Sequence, residues 1–82
     1  MKFRSTTHFD RAYAKAPKAI QDAFQKQLLL LVQNLRHPSL RAKKYDEGQD
    51  LWQARVTQDW RFYFFINDDI YILQTIRRHP KK

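Results

Sequence analysis

The chain has 82 residues, of which 43% are apolar and 15% aromatic, and it contains no cysteine. That is one domain, 1–82, with bulk for a packed core, which excludes disorder, a disulfide framework and Cys-based zinc sites. Sixteen Lys and Arg against eight Asp and Glu leave a net charge of +8, so nucleic acid, an acidic protein or an anionic surface is the natural partner.

Residues 1–5 read as a short strand. Thr7, with Asp10 three residues on, resembles a capping box and opens a helix through Lys15. Pro17 suits the first turn of a second helix, where its missing N–H costs nothing. Ile20, Phe24, Leu28, Leu31 and Leu35 recur there at helical spacing, with Gln and Lys on the opposite face. The helix is expected to stop near His37, because Pro38 disfavours helical geometry in the residue before it. The longest apolar run, Leu28 to Val32, is too short to span a bilayer. Met1-Lys2-Phe3-Arg4 lacks the apolar stretch of a signal peptide. The expectation is a soluble cytoplasmic protein without a membrane partner. Arg41-Ala42-Lys43-Lys44-Tyr45 adds a strand segment or an ordered loop, and Gly48 marks a turn.

From Leu51 the period changes to two. Leu51–Thr57, Trp60–Ile66 and Ile70–Arg77 are strands rich in aromatic and β-branched residues, separated by Thr57-Gln58-Asp59 and Asn67-Asp68-Asp69. Loop length sets which side chains share a face. A three-residue first loop opposes Val56 to Trp60, Arg55 to Arg61, Ala54 to Phe62 and Gln53 to Tyr63, leaving one face wholly apolar. A two-residue loop would put guanidinium groups into the core. That costs several kcal/mol, about what a small domain has to spare. A three-residue second loop sets Ile70, Ile72 and Ile76 on the core face, and Leu73, Thr75 and Arg77 beside Tyr63 and Arg61. His79 follows on that side if the strand continues, and Pro80 favours that extension.

One sheet face therefore gathers Arg55, Arg61, Tyr63, Arg77 and His79. Arginine offers phosphate a planar pair of charged donors, tyrosine a ring for an unpaired base, and histidine a proton near neutral pH. The set suits RNA binding, and suits cleavage by a ribose 2′-OH attacking the adjacent phosphate. That reaction needs phosphate-charge stabilisation, a base and an acid, and no metal or other cofactor. His8, His37 and His79 lack metal-ligand spacing. A single Gly rules out a glycine-rich phosphate loop, and Ser5 and Ser39 are not in a nucleophile-elbow context.

The stretches His37-Pro38-Ser39-Leu40-Arg41-Ala42-Lys43-Lys44, Leu51-Trp52-Gln53-Ala54-Arg55-Val56-Thr57-Gln58-Asp59-Trp60-Arg61 and Ile72-Leu73-Gln74-Thr75-Ile76-Arg77-Arg78-His79 resemble the RelE/ParE superfamily of bacterial toxins. The order and spacing of these short motifs, with two helices before them, extend the resemblance over nearly the whole chain. It implies an α+β fold, β-α-α-β-β-β, with two N-terminal helices packed on a twisted, mainly antiparallel four-stranded sheet. It also implies a toxin of a type II toxin–antitoxin pair; the ribonuclease branch cleaves mRNA on the ribosome and is silenced by an antitoxin that wraps the toxin.

By the same resemblance, Arg61 matches the arginine that stabilises the scissile phosphate, and Arg55 falls near the basic residue of the preceding strand. His79 resembles the general acid of the YoeB-like branch, and Lys43 and Lys44 lie where substrate backbone is held. The implied catalytic set is Arg61, His79, Arg55 and Lys44; the nucleic-acid contacts are Arg41, Lys43, Lys44, Arg55, Tyr63, Arg77, Arg78 and Lys81. The implied partners are a cognate acidic antitoxin and mRNA on the ribosome, with operator DNA met only through the antitoxin complex. Two departures stand out: Pro80 occupies the place of the YoeB-like tyrosine, and no carboxylate stands clearly where that branch has its base, since Asp46, Glu47 and Asp50 read as turn residues. The base is then Lys44 or the substrate itself. The alternatives are a non-catalytic RNA- or protein-binding module and a ParE-type gyrase inhibitor.

Overall fold

The structure, a computed structural model, describes residues 2–79. The elements run β1 (Lys2–Ser5), α1 (Thr7–Lys15), α2 (Lys18–Gln33), β2 (Lys43–Asp46), β3 (Leu51–Arg55), β4 (Trp60–Asn67) and β5 (Ile70–Arg78), with a 3-10 turn at Pro38–Leu40. They form the expected α+β fold on one five-stranded sheet ordered β1-β5-β4-β3-β2. β1 runs parallel to β5 and every other pair is antiparallel. The fifth strand is the 43–46 segment, which pairs with β3. Among the described residues no helix is long and apolar enough to cross a membrane.

The first helix starts one residue earlier than the sequence suggested. Thr6 is its cap and accepts the Phe9 N–H at 3.0 Å. It also donates its own backbone N–H and hydroxyl to the Leu73 carbonyl, both at 3.1 Å. Asp10 instead accepts from the Ser5 hydroxyl at 2.6 Å. α2 ends at Gln33, short of His37. The Asn34 side chain accepts the Arg36 N–H at 3.0 Å, a local bond that competes with the helical ladder.

Helix residues Phe9, Phe24, Leu28 and Leu31 meet sheet residues Ala54, Val56, Phe62, Phe64, Tyr71, Leu73 and Ile76 in one core. Phe24 stands edge-on to Phe62 at 5.0 Å, and Phe62 stacks on Phe64 at 5.5 Å. The helical face assigned to Gln and Lys is not wholly solvated. Gln27 is buried, and its amide donates to the Arg55 carbonyl at 2.8 Å and the Ser39 carbonyl at 3.2 Å.

The first hairpin has the expected register, with Gln53, Ala54 and Arg55 opposite Tyr63, Phe62 and Arg61. The second does not. Its turn is only Asp68-Asp69, with Asn67 opposite Ile70 and Asp68 in the left-handed region at φ 56°; aspartate is among the side chains that tolerate that conformation. Tyr71 and Leu73 therefore face the helices, and Ile70 and Ile72 do not. A bulge at Gln74 then restores the parity: Thr75 meets Tyr63, Ile76 meets Phe62 and Arg77 meets Arg61. The shorter turn and the extra residue each move the register by one in the same sense, and the two steps together restore the alternation, so Arg77 reaches the face opposite the helices as expected.

Candidate nucleic-acid interface

Strand alternation gives the helix-free face a row of Arg55, Arg61 and Arg77 and, beside it, a row of Lys43, Gln53, Tyr63 and Thr75. Arg41, Lys43, Gln53, Arg55 and Arg61 enclose a cleft of about 210 Å³. None of these lining residues is acidic. Of these residues, Gln53 Oε1 and Arg55 Nε are buried without a hydrogen-bond partner. Burial, followed by the charges of Arg41 and Arg61, lowers the Arg55 pKa, although a guanidinium stays protonated across the working range. Such an array of like charges, with an unmet donor on Arg55, is unfavourable without a compensating anion.

Arg61 is held from the turn that precedes it. Its Nη1 donates to the carbonyls of Thr57 at 2.8 Å, Gln58 at 3.0 Å and Trp60 at 3.0 Å. This tether fixes the guanidinium at the edge of the cleft, where its planar N–H groups suit an oxyanion. The same turn anchors the end of β5, because the His79 N–H bonds the Asp59 carbonyl. One three-residue loop thus sets the position of both Arg61 and the backbone of His79, whose side chain is exposed.

Tyr63 does not present its ring to solvent; it is 2% exposed. The Arg77 guanidinium lies 4.8 Å from its centroid, and Tyr45 meets it edge-on at 5.0 Å. Arg77 Nη2 also donates to the Tyr45 hydroxyl at 3.3 Å. The Tyr63 hydroxyl first, and Tyr45 with it, raise the Arg77 pKa. The ring available to an incoming base is Tyr45, 52% exposed. Tyr45 was missed because it sits at the irregularity between Lys44 and Asp46, where simple alternation cannot assign a face.

Lys44 and Arg78 are on the other side of the sheet, paired with Trp52 and Trp60. Lys44 Nζ bonds Asp50 at 2.8 Å and lies 5.6 Å from the Trp52 centroid. The Asp50 bond raises its pKa, which is opposite to what a general base requires. Lys81 lies outside the described residues. Gln27 was also missed: it supports Arg55 from beneath, and nothing in its spacing separates it from its solvated neighbours.

No protein-family model matches the sequence, and no curated protein matches it. Solved structures do match the fold. The chain is similar to YafQ from E. coli BL21(DE3), with a TM-score of 0.77 and 13% identity over 94% of this chain and 91% of that one. It is similar to a YoeB/ParE toxin from Agrobacterium tumefaciens, with a TM-score of 0.78 and 12% identity over 98% and 100%. RelE in the RelB–RelE antitoxin–toxin complex from Methanococcus jannaschii gives a TM-score of 0.75 and 15% identity over 95% and 89%. The chain has the RelE/ParE-type toxin fold, as the sequence resemblance led us to expect.

Proposed function

We propose that the chain is the toxin of a type II toxin–antitoxin pair and acts in the cytoplasm as a ribosome-dependent mRNA endoribonuclease. The observation that carries this is the cleft of Arg41, Lys43, Arg55 and Arg61 around the unpartnered Arg55 Nε. A ribose phosphate compensates those clustered positive charges and relieves their mutual repulsion. In the reaction the 2′-oxygen attacks phosphorus, the 5′-oxygen departs, and a 2′,3′-cyclic phosphate remains. Arg61 stabilises the charge gathering on the phosphoryl oxygens. His79 gives the departing oxygen its proton. Lys44 faces away with Asp50, so the base is the substrate phosphate itself. Tyr45 stacks on a base beside the cut, above an Arg77 fixed on Tyr63.

The RelB–RelE and DinJ–YafQ structures are toxin–antitoxin complexes, and a net charge of +8 suits an acidic antitoxin. Operator DNA is met only through that complex. Induction followed by mapping of new mRNA 5′ ends tests the proposal. Wild type should arrest growth and create new ends, and Arg61→Ala should do neither. Supercoiling defects with intact mRNA would indicate a gyrase inhibitor instead, and salt-sensitive RNA binding without cleavage or arrest would indicate a binding module.

A further inference from the structure

Among the described residues, Gln27 is the only buried side chain that is neither apolar nor aromatic. It stands on the α2 stripe with Phe24, Leu28 and Leu31, all of them in the core, where Met or Leu would pack without burying a polar group. A buried amide is retained for the bonds it makes. Its Nε2 donates to the Arg55 carbonyl at 2.8 Å and the Ser39 carbonyl at 3.2 Å, and its Oε1 accepts from the Ser39 hydroxyl at 3.2 Å. Two carbonyls and one hydroxyl fix which end of the amide is the nitrogen.

These bonds join two separate pieces of chain at one cleft. Arg55 ends β3, Arg41 follows the 3-10 turn that contains Ser39, and both line the cleft on the open face. The Arg41 backbone is in the left-handed region at φ 47°, which L side chains rarely adopt. Such a conformation persists only where its surroundings over-determine it. The turn before Arg41 is held in that way: Leu40 is fully buried, the Ser39 N–H bonds His37 Nδ1 at 3.1 Å, and Gln27 grips the carbonyl and the hydroxyl of Ser39. Leu40 fixes the depth of the turn in the core. Gln27 fixes its distance from β3, because one nitrogen serving both carbonyls keeps the two backbones within two hydrogen-bond lengths of each other.

We propose that Gln27 is a positioning residue of the RNA site: it sets the spacing between Arg41 and Arg55, and with it the width of the cleft that takes the phosphate. The inference rests on the RNA function of the open face. Gln27 touches no RNA itself and acts through the two arginines. A role in the fold alone would leave Gln27 and Arg41 independent, and their effects on RNA binding would then add.

The test is a double-mutant cycle in the full chain, at a temperature where circular dichroism shows each variant folded. Binding is read by anisotropy of a fluorescein-labelled, non-cleavable 2′-O-methyl RNA hexamer. Arg41→Gln should weaken binding several-fold in the wild-type background. Gln27→Met, which keeps the length and bulk but not the donors, should do the same and make the log–log salt slope shallower by about 0.7, the share of one phosphate. With Gln27→Met present, Arg41→Gln should cost almost nothing more, because a misplaced guanidinium has no contact left to lose. Ser39→Ala, at an exposed position, removes the hydroxyl that orients the amide. It should give a smaller loss, coupled to Arg41→Gln in the same sense, and it carries the test if Gln27→Met does not fold. A full Arg41→Gln loss in either background, with the salt slope of wild type, would overturn the positioning role and leave the RNA function standing. Binding that needs Arg61 but not Arg41 would do the same. Binding that ignores both arginines, or no hexamer binding at all, would overturn the positioning role and the RNA function together.

Discussion

Arg55 and Arg61 face one another across β3 and β4, a placement that like charges resist. Burial depresses the Arg55 pKa first, and Arg41 and Arg61 depress it further. Its Nε has no partner in the structure. A residue so poorly satisfied is a cost to folding, and in the proposed function its use is to bind an anion. Replacing Arg55 by Met keeps the stem and removes the charge. Thermal unfolding of this variant should show a Tm raised by a few degrees, the change that about 1 kcal/mol makes in a domain of this size. RNA affinity should fall in the same variant. A lower Tm would mean that Arg55 serves the fold. Arg77 has the opposite character: its contacts with Tyr63 and Tyr45 raise its pKa and fix its position.

At the scale of elements, the site depends on compensation within β5. The two-residue Asp68-Asp69 turn inverts the early half of the strand, and the Gln74 bulge inverts the rest again. Deleting Gln74 should therefore remove only the extra residue and leave Leu73, Thr75, Ile76 and Arg77 opposite Phe64, Tyr63, Phe62 and Arg61 on an unbroken ladder. Chemical denaturation of this variant should show a stability near wild type, and RNA affinity should be retained. A deletion variant that loses about 2–5 kcal/mol, the loss of a buried Ile, or that no longer binds RNA would contradict the bulge's assigned role. This compensation also explains what was legible in the sequence. The first hairpin could be read because a wrong register would have buried arginines. In the second, Ile70, Ile72, Tyr71 and Leu73 are all apolar, so no charge penalised either register and the wrong one was chosen. Arg77 still falls on the expected face, because two one-residue shifts add to two and return the alternation to its starting parity. Tyr45 and Gln27 were invisible for a different reason: their positions depend on an irregular strand and on a tertiary hydrogen bond, and neither leaves a periodic trace.

For the whole molecule, a net charge of +8 on 82 residues becomes directional because the sheet concentrates cations on the face the helices leave open. Affinity for single-stranded RNA should fall with salt at a log–log slope of about −0.7 per phosphate engaged. If Arg41, Lys43, Arg55 and Arg61 meet about four phosphates, the slope is near −3, and Arg41→Gln should make it shallower by about 0.7. A slope unchanged in Arg41→Gln, measured by anisotropy across a salt series, would remove Arg41 from the interface. The chemistry is tested most directly by the ends of the cut RNA. Ribosomes programmed with a defined mRNA and treated with the purified protein should yield 5′-hydroxyl and 2′,3′-cyclic phosphate ends. An mRNA carrying a single 2′-deoxy residue at the cut should stay whole, as should any mRNA treated with Arg61→Ala. Cleavage of the deoxy substrate, or 5′-phosphate ends, would contradict attack by the ribose hydroxyl on a phosphate held by Arg61.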